Sequence, residues 1–279
     1  MYEILLDTII DNLKIFPFLF ITYVFLEYTE HKTEDKLTEI IRKAGKFGPI
    51  LGSLCGAVPQ CGFSVAASNF YAARIIGTGT LMAVYLSTSD EMLPILLANS
   101  VAPLIMLKIL ACKILCAVVF GYAIYGIWYK YHRRWPINIE QLCQNEGCHC
   151  EDKILWPALR HSLKITLFIF IVTLSLNTAI AYCDTALLGK YLQIPLLGKI
   201  FSALLGLIPN CSPSVILTQL YLDGYINAGS LIGGTLSNAG VGLLVLFRVN
   251  RHLKENLWIV SLLYICGVLG GFLCELVNF

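Results

Sequence analysis

Displaced by 150 positions, the chain aligns on itself without a gap: "LKIFPFLFI" at 13–21 falls on "LKITLFIFI" at 163–171. Within 51–91, Leu54, Gly56, Pro59, Cys61, Ser64, Val65, Tyr71, Ile76, Gly79, Leu81, Leu86 and Ser87 all recur 150 residues later. About three such identities are expected by chance in so biased a composition. Cys116 and Gly121 return as Cys266 and Gly271. A duplication on this scale requires two halves built alike. The repeats are placed at 1–129 and 151–279, with a linker at 130–150.

Each half must also live in lipid. The chain is 57% apolar and 14% charged, with mean hydropathy +0.72; soluble domains carry about 25% charged residues. Apolar runs at 13–29, 76–97, 104–128, 163–181, 226–247 and 256–277 are each near the roughly 20 residues that cross a hydrocarbon core. Residues 1–12 carry Glu3, Asp7 and Asp11 without a basic n-region, so they read as an amphipathic lead-in rather than a signal peptide.

Charge orients the halves. The loop 30–46 holds Lys32, Lys36, Arg42, Lys43 and Lys46, whereas its partner 180–196 holds only Lys190. Conversely 98–103 is uncharged and its partner 248–255 has Arg248, Arg251 and Lys254. Basic residues favour the cytoplasmic side, so equivalent loops lie on opposite faces and the repeats are inverted. Lys130, Arg133 and Arg134 put the linker in the cytoplasm and both termini outside a cell (plasma or inner) membrane.

Two stretches interrupt otherwise apolar helices in the same way: "CGAVPQCGFSV" at 55–65 and "LGLIPNCSPSV" at 205–215. Proline cannot continue a helix interior, and half-helices of about 12 residues are too short to span. Each break therefore reads as the tip of a re-entrant hairpin, tolerated at membrane depth only against protein or a wet cavity. Matched discontinuities in inverted repeats point to a transporter's binding site. The expected fold is all-α, a polytopic membrane protein with spanning helices plus one hairpin per repeat, about ten helical segments.

Candidate substrate-binding residues are Pro59, Gln60, Cys61 and Ser64 at the first tip, and Asn210, Cys211 and Ser214 at the second. "LSTSDEM" at 86–92 adds Ser87, Thr88, Asp90 and Glu91 halfway along a span, and its partner "LSNAGVG" adds Ser237 and Asn238. A carboxylate at the bilayer centre costs about 2.5 kcal/mol or more and usually marks an ion path. Asp90 and Glu91 are thus candidate ligands and proton-coupling groups; a solvated loop at 87–92 is the plain alternative. Thiolates select soft ions and carboxylates harder ones, which makes Cys61 and Cys211 candidate soft-metal ligands, with carbonyls near Val58 and Ile208 assisting. Cys112, Cys116, Cys183, Cys266 and Cys274 read as small packing residues. Cys143, Cys148, His149 and Cys150 in the linker form C-x4-C-H-C, either a cytoplasmic metal-capture set or an incidental Cys-rich loop.

The stretch "CGAVPQCGFSVAASNFYAARIIGTGTLMAVYLSTSDEMLPILL" resembles the signature of the ten-segment heavy-metal exporters, also called arsenic efflux proteins or arsenic permease-like proteins. The resemblance covers essentially the whole chain. It implies efflux of a heavy metal or metalloid; some members are labelled manganese transporters, which would give weight to Asp90 and Glu91. The expected function is secondary transport of such an ion, exported in exchange for protons, with no cofactor beyond the carried ion and a coupled H⁺ or Na⁺. Expected partners are membrane lipid, a small inorganic ion and a second copy of the chain, not nucleic acid. Two rivals stand beside it. One is an ion-coupled organic-anion carrier using the helix N-termini near Gly62 and Ser212. The other is an intramembrane cysteine enzyme, disfavoured because neither tip cysteine has a histidine close in sequence.

Overall fold

The computed structural model describes residues 2–32, 45–89, 91–131, 155–181 and 195–276. These form helices and turns, with no strand among the described residues. In the first half they are α1 (Tyr2–Lys32), α2 (Gly48–Gly56), α3 (Gly62–Ala72), α4 (Thr78–Ser87), α5 (Met92–Ala98) and α6 (Pro103–Tyr131). In the second they are α7 (Leu155–Ala181), α8 (Pro195–Gly206), α9 (Ser212–Leu222), α10 (Ala228–Ser237), α11 (Gly242–Val249) and α12 (Leu253–Leu276). Pairs α3/α9 and α4/α10 are offset by 150 residues at both ends, so the duplication written in the sequence is also a duplication of helix boundaries. The spans 78–98 and 228–249 are each broken near their middle, at 88–91 and 238–241. Counted once each, they bring the described helices to ten segments.

Burial sorts the helices into a core and a lipid-facing shell. In α10 every residue from Gly229 to Ser237 is buried, and α4 is buried from Leu81 through Ser87. The long helices instead expose apolar stripes: Leu163, Leu167 and Ile171 one turn apart on α7, and Leu253, Leu257, Ile265, Leu269 and Leu273 on α12, interrupted once by Ser261. Such stripes suit a hydrocarbon surround. Six helical stretches of 18 to 25 residues are long and apolar enough to cross a membrane. The chain is therefore a multi-pass helical membrane protein.

In each half the broken span packs between the first hairpin arm and the last helix: α4 against α2 and α6, α10 against α8 and α12. The α10–α12 seam is lined by small residues, and a Cβ on Gly229 would come within 2.8 Å of the Gly271 carbonyl oxygen. Close backbone approach through glycine is how helices pack where lipid supplies no hydrophobic drive. The halves interlock through α1 on α7, α3 on α11 and α9 on α5. Tyr23 donates to Asn69 Oδ1 at 3.0 Å and stacks on His161 of α7.

One buried charge network joins the halves. Arg74, in the turn after α3, pairs with both oxygens of Glu255 at 2.9 Å, and Tyr71 donates to the same carboxylate at 2.6 Å. Asn250 donates to its other oxygen at 3.1 Å. Arg74 holds φ = 62°, an uncommon region for a residue with a side chain. At the equivalent turn of the second half stands Gly224, φ = 76°, with nothing within 4 Å of a Cβ there.

Candidate functional site: two thiols at the hairpin tips

The two tips share one local design. Gln60 N–H donates to Val58 C=O at 2.7 Å, and Asn210 N–H donates to Ile208 C=O at 2.7 Å. Each is a three-residue turn closed around a proline, whose ring pre-sets the backbone. The carbonyls at Val58 and Ile208, expected from the sequence to be freed for an ion, are thus engaged by their own turns. Past each turn, Ser64 and Ser214 donate to the carbonyls of Cys61 and Cys211, both at 2.8 Å. These bonds fix the first turn of α3 and α9 and hold the cysteines at the helix entrances.

The tips meet. Cys61 Sγ lies 3.1 Å from Cys211 Sγ, across 150 residues of sequence. Cys211 is buried and Cys61 partly so. Pro59 is exposed and Gln60 half-buried, so the first tip is the more open one. The second is braced from α7: Asn177 Oδ1 accepts from Asn210 Nδ2 and, at 2.7 Å, from Ser212 Oγ.

A polar cavity adjoins this second tip. Thr8, Asp11, Asn12 and Ile15 of α1, Thr173 and Asn177 of α7, Asn210, Cys211 and Val241 line it. Its volume is about 10 Å³, room for a single water or bare ion. Asn12 is 6% exposed; its amide N–H donates to Thr8 C=O at 2.8 Å, while Oδ1 has no hydrogen-bond partner. A buried acceptor without a partner costs about 1–3 kcal/mol, so a donor or a cation in the cavity would be favoured at Asn12 Oδ1. None of Thr8, Asp11, Asn12, Thr173 or Asn177 was singled out from sequence as a site residue. Their signal was faint: i, i+3 and i, i+4 polar pairs on otherwise apolar helices.

The mid-span candidates divide. Ser87 donates to the carbonyls of Ala83 and Val84, at 2.8 and 3.0 Å, and Ser237 to Ala203 C=O at 2.7 Å. Both hydroxyls face the seam with α2 or α8, where Gly56 and Gly206 leave no space for a Cβ. Thr88 donates back to Val84 C=O, and Asn238 Oδ1 accepts from Gly240 N–H at 2.8 Å, closing the turn at the break. Glu91 is half-buried just before α5, within electrostatic reach of Asp11 and Lys14; Lys14 is in turn within reach of Cys61. Asp90 and the linker set Cys143, Cys148, His149 and Cys150 lie outside the described residues.

Lys113 is a further addition. It is fully buried on α6 and donates to Thr88 C=O at 2.5 Å and Thr235 C=O at 3.1 Å. Its ammonium thus sits at the C-terminal ends of α4 and α10, the first halves of both broken spans, where helix dipoles leave negative potential.

Hairpins meeting tip to tip between two broken spans, inside a lipid-facing shell, give the architecture of a membrane transporter. The model of the 10TM heavy-metal exporter family matches residues 2–146 and 127–265, one segment over each half, and the chain belongs to that family. Neither the curated proteins nor the solved structures contain a match to the chain.

Proposed function

We propose that the protein is a secondary transporter that exports a soft heavy-metal or metalloid ion, held between Cys61 and Cys211 and exchanged for protons. The 3.1 Å approach of these two thiols carries the reading. Two sulfurs from equivalent positions converge where a duplicated transporter has its substrate site, and thiolates prefer soft ions. The family description supports the same substrate class. Asn12 Oδ1 and Asp11, beside Cys211 in the cavity, would supply oxygen ligands on one flank. Asp90 or Glu91 would carry the coupled proton.

The inverted arrangement is supported by the Arg74–Glu255 pair. Within each half the hairpin leaves and returns on one face, while the broken span ends on the other. A contact between the first hairpin's exit and the start of α12 fits a second hairpin that enters from the opposite face. With the basic residues of 30–46 and 248–255, the first hairpin's face is the cytoplasmic one and both termini are outside. Cysteine-accessibility labelling should find 30–46 and 248–255 on the same side; opposite sides would overturn the topology.

The substrate reading is tested by Cys61→Ser with Cys211→Ser, which exchanges sulfur for oxygen with little change in volume. A thiolate-bound ion would lose most of its ligand field, and uptake into inverted vesicles should fall at least a hundredfold. Asp11 and Asn12 favour a second reading, a hard divalent cation such as Mn²⁺. Oxygen ligands suffice for such an ion, so near-normal Mn²⁺ transport by the double variant would establish it and remove the soft-ion reading. Asp90→Asn should abolish pH-driven transport while sparing equilibrium exchange.

A further inference from the structure

The seam between α6 and α12 carries thiols that the tip-pair site does not use. Cys112 and Cys116 stand one turn apart on α6, and Cys274 faces them from the end of α12. Their three sulfurs lie within 4.8 Å of one another. Cys112 and Cys274 are joined as a disulfide spanning 162 residues, and Cys116 is a free thiol beside it. The packing reading of Cys112 and Cys274 from sequence is therefore corrected: these two are bonded partners, not fillers. Elsewhere the same kind of seam closes with glycine, as at Gly79 against the Gly121 carbonyl, so close packing does not itself demand sulfur.

We infer that Cys112, Cys116 and Cys274 form a second, redox-switched site for a soft trivalent metalloid ion, separate from the tip pair. Reduction of the Cys112–Cys274 disulfide by a cellular dithiol delivers two electrons and two protons and leaves three thiols facing one point. The dithiol leaves as its own disulfide. Three thiols and a trivalent hydroxide, M(OH)₃, then give M(SR)₃ and three waters, with every proton and charge accounted for. Charge selects the valence. Three thiolates around a trivalent ion make a neutral complex, whereas around a divalent ion they leave one net negative charge. Leaving that charge among apolar side chains is costly, and Cys274 is 1% exposed. The disulfide ties α6 of the first half to α12 of the second, and the occupied site would do the same. Oxidation and occupancy exclude each other, because the disulfide consumes two of the three ligands.

The test uses full-length protein in detergent with Cys61, Cys211, Cys143, Cys148 and Cys150 changed to Ser, so that neither the tips nor the linker contribute. After reduction with a phosphine and its removal, sodium arsenite is added; bound arsenic and remaining thiols are counted per chain. The expected result is one arsenic per chain with three thiols lost. Adding Cys116→Ser, which leaves the disulfide pair intact and the fold undisturbed, should weaken binding at least tenfold. So should disulfide oxidation of the parent. Cd²⁺ should bind at least tenfold more weakly than arsenite. Arsenic binding unchanged by Cys116→Ser, equal binding to the oxidised protein, or a preference for Cd²⁺ would each overturn the site. Because the tip cysteines are absent throughout, these outcomes are independent of whether Cys61 and Cys211 carry the transported ion.

Discussion

Lys113 carries a charge into a place where a residue must justify its cost. Its ammonium closes two carbonyls, Thr88 and Thr235, one from each broken span. Lys113→Met keeps the length and the apolar stem but removes every donor. Two buried carbonyls then lose their charged partner, at about 1–3 kcal/mol each. Unfolding of the variant in detergent should show a loss of about 2–6 kcal/mol relative to the parent; an unchanged transition would mean water replaces the ammonium. The residue scale is also where sequence reading reached least far. The meeting of Cys61 and Cys211 was legible because a cysteine two residues after a proline at a helix break occurs twice, at equivalent positions. Ser87 and Ser237 were equally visible as polar groups in a span, but hydroxyls on helices find their own carbonyls four residues back. Asn12 and Asn177 stayed hidden because their repeat partners are Ser162 and Glu27. Their convergence, moreover, depends on how α1 crosses α7, an angle that spacing along one helix does not fix.

Among the elements, the broken spans and hairpins were readable since their causes are local: proline at each tip, Ser and Asp at the first mid-span break, Asn and Gly at the second. The seam between hairpin arm and broken span was less so, because it depends on the absence of an atom. A Cβ on Gly206 would fall within 3 Å of both the Gly234 carbonyl oxygen and Ser237 Oγ, and one on Gly56 would meet Val84 C=O and Ser87 Oγ as closely. Backbone cannot step aside as a side-chain tip can. Gly206→Ala should therefore destabilise by about 1–3 kcal/mol, the range for overpacking. Gly126, inside α6 with nothing within 4 Å of its Cβ, is the control. Gly126→Ala should stabilise slightly, by up to about 1 kcal/mol, from helix propensity alone. Paired unfolding curves check both, and equal effects at the two positions would refute the close-approach argument.

For the whole molecule, the Arg74–Glu255 pair decides more than local stability. Its side chains are 12% and 8% exposed, so removing one partner strands a buried charge. Glu255→Gln should cost about 3–5 kcal/mol, while replacing both partners with Met should cost far less. The single variant should also raise labelling of a cysteine introduced near residue 71 by a membrane-impermeant reagent; unchanged labelling would make the pair a purely structural brace.

Two halves with matching helix boundaries would, left alone, close either mouth with equal ease. The fork of hydrogen bonds between Arg74 and Glu255 has no counterpart at Gly224 and Ile105, while Lys199 pairs with Glu275 only in the second half, so in the transport cycle proposed above the two mouths would be shut with unequal strength. A gap of about 2.7 kcal/mol is already a hundredfold difference in occupancy. On the topology proposed above, the empty carrier would rest with its cytoplasmic mouth closed, and cargo binding would have to offset that preference. A single turn, built on arginine in one half and glycine in the other, would thus set which mouth the empty carrier prefers, and with it the speed of the cycle rather than its direction.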